Sequence, residues 1–441
     1  MSDHSLAFVP VGTGYVQSTD LFARRRPVDT GLLAEALIYF DRLFINVETP
    51  DQFAQLVSWL IQQGLSVANI IALFQDGVFN IYDFAFTTNP FVTFQQPSQI
   101  QIHDLLHFQD PAMAAPNSFT KRYLEHGPLR DCFDIQSQFE LFVKAVEDHV
   151  IEVKADDVGA GPIQNAYSDF VNPERNSLMT QQLVNEIYRV KRLGKPPRVE
   201  AYVSTLSDGG FNVSWNIRLN ELPAVEIDTQ IVAAATLPLS TAAQANKYLW
   251  ACERQNCDLY LARPVSVLVG DKLFEAAEVT TQSKLKSQNV IESLQMKVEF
   301  PDVRRYVNED KIDFPHVLQI RKKAERFRQW LQSEGDRERD VMIAYLSDVA
   351  KASGFSKVAR RTLKMFGVLG GAALGAKIGA DPSVGAALGA AGGAMLGKGA
   401  GEAVKYMFEL GSNLGVGWKP VVFGDWYREK IERLLEEQHR S

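Results

Sequence analysis

The chain has 441 residues and a net charge of −7, with 46% hydrophobic and 22% charged residues. These proportions are those of an ordinary globular protein, and the length allows two or three domains. The negative charge argues against a general nucleic-acid-binding protein, and three cysteines exclude a disulfide framework. The N-terminus lacks a basic, apolar leader, so we expect a cytoplasmic protein.

The first predicted domain, residues 1–155, mixes helices and strands. Asp29 and Thr30 are N-cap types, and they predict the start of a helix that runs through Leu37. The stretch 156–162 contains two glycines and a proline, so it is predicted to be the linker to the next domain. The spacing of apolar residues predicts the remaining elements, which are helices at 50–63, 67–74 and 137–150 and strands at 43–47 and 77–87.

The second predicted domain, residues 165–300, opens with a helix. Asn172 is a favoured N-cap, and Pro173 suits the first helical position. A β-hairpin is predicted at 198–219 because two alternating segments flank a turn that contains Asp-Gly-Gly. The later elements predicted in this domain are a helix at 240–255 and a strand at 258–262.

The third predicted domain, residues 301–441, is helical and ends in an amphipathic helix at 425–437. One of its helices, predicted at 315–333, carries Phe327 and Trp330 among basic residues. We interpret it as a helix that buries both rings and solvates its charges, and a nucleic-acid face is the alternative. The predicted fold class is therefore α+β, a mixed α/β body followed by an all-helical C-terminal module.

Two ladders of glycines with a spacing of four residues are the strongest pattern in this module. That spacing keeps the glycines on one face of a helix, where each costs roughly 1 kcal/mol relative to alanine. Close approach of two helices is the usual compensation. Because the ladders come into register when the chain folds back at Pro382, they predict an antiparallel helical hairpin at 363–405. The first ladder is Gly367, Gly371, Gly375 and Gly379, and the second is Gly385, Gly389, Gly393, Gly397 and Gly401.

The predicted hairpin has no polar stripe, since neither 365–376 nor 384–397 contains a polar side chain. Its surface therefore needs cover from lipid, from the protein's own core or from an oligomer interface. The uncharged stretches reach only about 18–22 Å, against a hydrocarbon core of about 30 Å, so conditional insertion is favoured over a permanent span. The pattern resembles the glycine-zipper hairpins of some bacterial membrane-associated proteins, which implies membrane engagement.

Basic and aromatic residues flank the hairpin and favour contact with an anionic membrane. Basic residues beside an apolar segment attract anionic headgroups by about 1 kcal/mol each, and tryptophan favours the membrane interface. We therefore predict a non-enzymatic effector that perturbs membranes as a homo-oligomeric, latent pore-former. The alternative is a soluble scaffold or regulatory protein that uses the hairpin as a buried core or self-association seam. The predicted membrane-surface residues are Lys357, Arg360, Arg361, Lys364, Trp418 and Trp426.

Catalytic signals are few, and neither an enzyme nor a cofactor is expected. His103 and His107 would share one face if their segment were helical, and could then bind zinc. Zinc peptidases of this pattern carry glutamate where this chain has Asp104, so a metal-dependent hydrolase is only the third hypothesis. Four residues separate Cys252 from Cys257, which is outside the usual zinc spacing, and we expect buried free thiols.

Overall fold

The chain divides into two compact units. Unit 1 comprises residues 1–284 with 313–315, and unit 2 comprises residues 285–312 and 316–441. The computed structural model describes residues 5–11, 28–47, 50–83, 87–89, 92–96, 99–102, 107–109, 128–153, 155–190, 193–207, 210–218, 226–227, 230–231, 237–261, several helical positions within 265–292, and residues 301–333, 426–427 and 429–436.

The described elements of unit 1 are mostly short strands and amphipathic or buried helices. The strands are β1 (Leu6–Pro10), β2 (Arg42–Asn46), β3 (Phe79–Asp83), β4 (Thr87–Asn89), β5 (Val92–Gln96), β6 (Gln99–Ile102), β7 (His107–Gln109), β8 (Val150–Glu152), β9 (Ala201–Thr205), β10 (Phe211–Trp215), β11 (Glu226–Ile227), β12 (Gln230–Ile231) and β13 (Asp258–Leu259). The helices are α1 (Thr30–Tyr39), α2 (Pro50–Gln62), α3 (Val67–Gln75), α4 (Gln136–Glu147), α5 (Ala155–Val158), α6 (Gly161–Val171), α7 (Pro173–Val190) and α8 (Leu237–Gln255).

Five of these strands form a parallel sheet in the order β13–β1–β2–β3–β8. Every neighbouring pair runs parallel, with Phe8 of β1 beside Leu259 of β13 and Phe44 of β2. The strands β1, β2 and β3 are almost continuous runs of buried residues, as expected for strands covered on both faces. The mixed α/β body predicted from the sequence is thereby confirmed, and its main sheet is parallel.

Helices cover both faces of this sheet. Along the chain, the strands β2, β3 and β8 are added successively on one side of β1, and β13 is then added on its other side. Because crossovers between parallel strands are right-handed, this reversal places α8 on the opposite face of the sheet from the earlier helices. Ring contacts agree with this arrangement. Tyr248 of α8 lies 5.5 Å from Phe8, which in turn lies 5.3 Å from Tyr82. Phe79, three residues before Tyr82 and so on the other face, packs against Phe74 of α3 at 5.7 Å.

A second, antiparallel sheet has the order β5–β6–β10–β9. The predicted hairpin is confirmed as β9 and β10, and Val203 pairs with Val213 at its centre. The helix α7 begins as predicted, because the side-chain oxygen of Asn172 accepts hydrogen bonds from the backbone N–H groups of Glu174 and Arg175, each at 3.0 Å.

The predicted linker at 156–162 is wrong, because α5 and the start of α6 occupy it. Gly159 has a φ of 65° and separates the two helices. Pro162 lies in the first turn of α6, where the missing N–H leaves no hydrogen bond unmade. Glycine and proline therefore mark a helix boundary here, which sequence patterns do not distinguish from a linker.

The described elements that follow residue 300 are all helical. They are α9 (Val303–Asn308), α10 (Phe314–Lys323), α11 (Glu325–Ser333) and helical residues within 426–436. The single helix predicted at 315–333 is thus two helices that meet at Ala324. Phe327 is fully buried, and the half-buried Trp330 lies 5.4 Å from it. The hairpin predicted at 363–405 lies outside the described residues.

Candidate functional site

The carboxyl ends of the parallel strands meet at one edge of the sheet, and two of them end on buried polar residues. Asn46 ends β2 and is fully buried, and Asp83 ends β3 and is 1% exposed. Open α/β sheets bind ligands at this edge, at the point where the strand order reverses. Here the order reverses between β1 and β13. This edge is therefore the candidate ligand site of unit 1.

The amide of Asn46 has an unused acceptor. Its Nδ2 donates a 2.9 Å hydrogen bond to the carbonyl of Tyr82, and its backbone carbonyl accepts one from Val11 at 3.1 Å. Within the described part of the chain, Asn46 Oδ1 is buried and has no hydrogen-bond partner. An unpaired buried polar atom costs about 1–3 kcal/mol. A hydroxyl or amino group of a bound molecule could supply the missing donor.

The start of α1 makes this edge a poor phosphate site. Asp29 is fully buried, its carboxylate accepts a 2.8 Å hydrogen bond from the N–H of Leu32, and its own N–H donates to Val11 at 2.7 Å. Phosphates bind helix N-termini through uncapped N–H groups and the positive end of the helix dipole. Here a carboxylate occupies that position, so the edge favours ligands that donate hydrogen bonds over anions.

Tyr82 lies beneath this edge and should make the stability of unit 1 depend on alkaline pH. Burial raises the pKa of Tyr82 to about 12, against a smaller lowering by its hydrogen bond to Gln255. Its pKa in the unfolded chain is about 10. The folded state therefore holds this proton more tightly, and the resulting stability is complete below about pH 10 and is lost between about pH 10 and 12.

Comparison with Tyr82→Phe isolates this effect. The difference in free energy of unfolding between the wild type and the variant should fall by roughly 2–3 kcal/mol between about pH 9 and 12. Urea unfolding followed by fluorescence measures it. A difference that does not change over this range would show that the hydroxyl is not held in its protonated form.

A fully buried carboxylate, that of Asp169 in α6, joins three helices. Its Oδ1 accepts from Nη1 of Arg175 in α7 at 2.5 Å. Its Oδ2 accepts from Nζ of Lys272 at 2.6 Å and from Nδ2 of Asn246 in α8 at 2.7 Å. Because three donors from different parts of the chain bind its two oxygens, this carboxylate is placed to act as a structural brace.

The junction between α10 and α11 in unit 2 presents a basic surface. Lys322, Lys323 and Arg326 are exposed there. Arg328 is only 5% exposed, and its Nη1 donates a 2.9 Å hydrogen bond to the carbonyl of Arg321, at the end of α10. This bond satisfies a carbonyl in the last turn of α10, beside the three exposed cations.

One of the two histidines of the hydrolase hypothesis lies in a β-strand. His107 is the first residue of β7 and pairs with Asn89 of β4, while β6 ends at Ile102. His103 lies outside the described residues. A helical two-histidine motif therefore cannot form, since one of its members is in a strand. Among the described residues, no group of three histidine, cysteine, aspartate or glutamate side chains could hold a metal ion.

Most of the predicted membrane-facing residues lie outside the described part of the chain. This applies to all nine ladder glycines, to the basic residues within 357–364 and to Trp418. Trp426 is helical and half-buried. The predicted burial of Cys252 and Cys257 is confirmed, with exposures of 0% and 2%, and neither residue forms a disulfide.

Comparison of the chain with protein-family models, curated proteins and solved structures finds no match. Of the helices that the structure describes, none combines the length and apolar character needed to cross a membrane.

Sequence reasoning missed the polar residues that the fold brings together. Asn46 and Asp83 each end a buried apolar run, and this local signal could have marked the carboxyl edge of a parallel sheet. Asp169 and Lys272 are 103 residues apart, and neither carries a local motif, so only the fold reveals their pairing.

Proposed function

We propose that this protein is a non-enzymatic, membrane-engaging effector whose C-terminal hairpin, residues 363–405, inserts conditionally into anionic membranes as an oligomer. The observation that carries the proposal is the pair of glycine ladders in mutual register, with no polar side chain in 365–376 or 384–397. Helices without a polar face need cover on all sides, and small residues every four positions allow membrane helices to approach closely.

The charge distribution supports an anionic partner. The stretch 321–364 contains twelve basic and six acidic residues, although the whole chain has a net charge of −7. The exposed Lys322, Lys323 and Arg326 belong to this stretch. Each basic residue near an anionic surface contributes about 1 kcal/mol. The basic stretch would therefore hold the protein at the membrane beside the segment that inserts.

The length of the apolar stretches favours conditional insertion by several copies. Each stretch covers about 18–22 Å as a helix, which is less than the hydrocarbon core of about 30 Å. A short span thins the bilayer or associates with others of its kind. Alanine and glycine also contribute little hydrophobic free energy of insertion. Close packing between the glycine ladders therefore has to supply the rest of the free energy that stabilises the inserted state.

Vesicle binding and leakage by the full chain test this proposal. We expect the protein to float with phosphatidylserine-containing vesicles and to release an entrapped dye, with little of either on neutral vesicles. The double variant Gly375→Leu/Gly389→Leu places bulk between paired ladder positions and should abolish release. The matched control, Ala373→Leu/Ala391→Leu, adds bulk on the opposite face of the same two helices, two residues from each ladder position, and should retain release.

Absence of binding and of leakage for the wild type would refute membrane engagement. If the ladder variant instead changes only the oligomer size measured by light scattering, and no variant affects vesicles, the hairpin is a self-association seam of a scaffold protein. The control variant separates this outcome from general misfolding, because it adds nearly the same volume to the same segment.

A further inference from the structure

The helix α8 ends in a Schellman motif. Asn256 has a φ of 46°, in the left-handed region, and its N–H donates a 3.3 Å hydrogen bond to the carbonyl of Glu253. The N–H of Cys257 donates a 3.2 Å hydrogen bond to the carbonyl of Cys252. These two bonds satisfy carbonyls that the end of a helix would otherwise leave unpaired.

This motif brings together the side chains at its two ends. The end of α2 shows the usual apolar form: Gly64 has a φ of 86°, the N–H of Leu65 donates to the carbonyl of Leu60 at 3.1 Å, and both leucines are buried. At the end of α8 the two equivalent positions hold Cys252 and Cys257. Two cysteines therefore stand where the motif usually has an apolar pair, and each thiol approaches the backbone carbonyl of the other residue.

The geometry of the two thiols suits a covalent bond between them. Cys252 Sγ donates to the carbonyl of Cys257 at 2.6 Å, and Cys257 Sγ lies 3.9 Å from the carbonyl of Cys252. Each sulfur thus lies over the backbone of the other residue. The backbone hydrogen bond between the same residues keeps their Cα atoms close, as the separation of about 4.4–6.8 Å in disulfides requires.

We propose that Cys252 and Cys257 are a modification site, at which hydrogen peroxide or a similarly small peroxide oxidises the two thiols to an intramolecular disulfide. The thiolate of one cysteine attacks a peroxide oxygen, the O–O bond breaks, and a sulfenic acid and one water form. The second thiolate then attacks the sulfenic sulfur and releases another water. Two thiols lose two electrons and two protons, and the peroxide is reduced to two waters.

Burial of both thiols restricts the reaction to a small oxidant. Cys132 is only half-buried, but its thiol donates to the carbonyl of Ala54 and it belongs to no such motif. The new bond would join the last turn of α8 to β13, the strand that borders β1 in the parallel sheet. Oxidation would thereby fasten the edge of the sheet to the helix that covers it.

Peptide mapping of the full chain tests the assignment. Trypsin cleaves after Arg254, so the two thiols fall on separate peptides, 248–254 and 255–272. We expect these peptides to stay linked after treatment of the folded protein with hydrogen peroxide and alkylation of the remaining thiols. They should separate on reduction with dithiothreitol. Untreated protein should give both peptides alkylated and unlinked.

Two variants serve as controls for this experiment. Cys132→Ser should form the link as the wild type does, and Cys252→Ala should form none. The proposal is overturned if peroxide yields sulfinic acid on separate peptides, or if Cys132 is the preferred partner of either thiol. Should Cys252→Ala fail to fold, Cys257→Ser provides the same negative control from the other end of the motif.

Discussion

Replacing Asp169 with alanine should lower the free energy of unfolding by about 3–5 kcal/mol. The change removes the carboxylate that pairs with both Arg175 and Lys272, whose side chains are only 18% and 16% exposed. It also removes the acceptor of the Asn246 amide. Both cations then stay largely buried after losing this shared carboxylate, which is far more costly than the loss of a surface ion pair.

Urea unfolding of the full chain, followed by circular dichroism, measures this loss. Asp169→Asn retains one acceptor oxygen and should lie between the alanine variant and the wild type. Glu200→Ala is the matched control, because Glu200 pairs with Arg198 at 3.5 Å on the surface of the same unit and should contribute less than about 1 kcal/mol. Equal losses for Asp169→Ala and Glu200→Ala would contradict the assignment of a buried brace.

Trp215→Ala should also destabilise the protein by about 3–5 kcal/mol, through a different mechanism. Trp215 ends β10 and is 5% exposed, so its removal leaves a large cavity between the antiparallel sheet and α7. Its Nε1 also donates to Asn176 Oδ1 at 2.9 Å and lies 3.1 Å from Thr180 Oγ1. Both cavity formation and a lost buried donor contribute to the effect.

A second substitution separates these two contributions. Trp215→Phe retains most of the ring but loses the indole N–H, and should cost about 1–3 kcal/mol. Tyr202→Ala, on the neighbouring strand β9, removes an aromatic ring that is 54% exposed and should cost less than about 1 kcal/mol. If the phenylalanine and alanine variants were equally unstable, the hydrogen bonds and not the packing would hold the sheet on α7.

Local chemistry explains why many elements could be predicted from the sequence. The caps Asp29 and Asn172 each satisfy N–H groups of the helix that follows, and they do so within three residues of their own position. The β9–β10 hairpin likewise depends on one short turn and the alternation of its strands. Such signals are readable because both partners lie close together in the chain.

Pairings between distant residues could not be read in the same way. The parallel sheet joins β1 to β13, and β6 pairs with β10, although more than a hundred residues separate the members of each pair. Each of these strands has a pattern that fits several neighbours, so the sequence alone could not predict which strands pair within unit 1. The candidate ligand site at the carboxyl edge of the sheet, with Asn46 and Asp83, depends on this strand order, so it was not predicted from the sequence.

The position of β13 has a consequence for synthesis of the chain. Four of the five parallel strands have been synthesised once Glu152 is added, but the neighbour of β1 follows about a hundred residues later. At typical translation speeds this interval is roughly 5–20 s. During it the apolar β1 offers unpaired N–H and C=O groups to any other nascent chain, which makes this the interval in which chaperone protection would matter most.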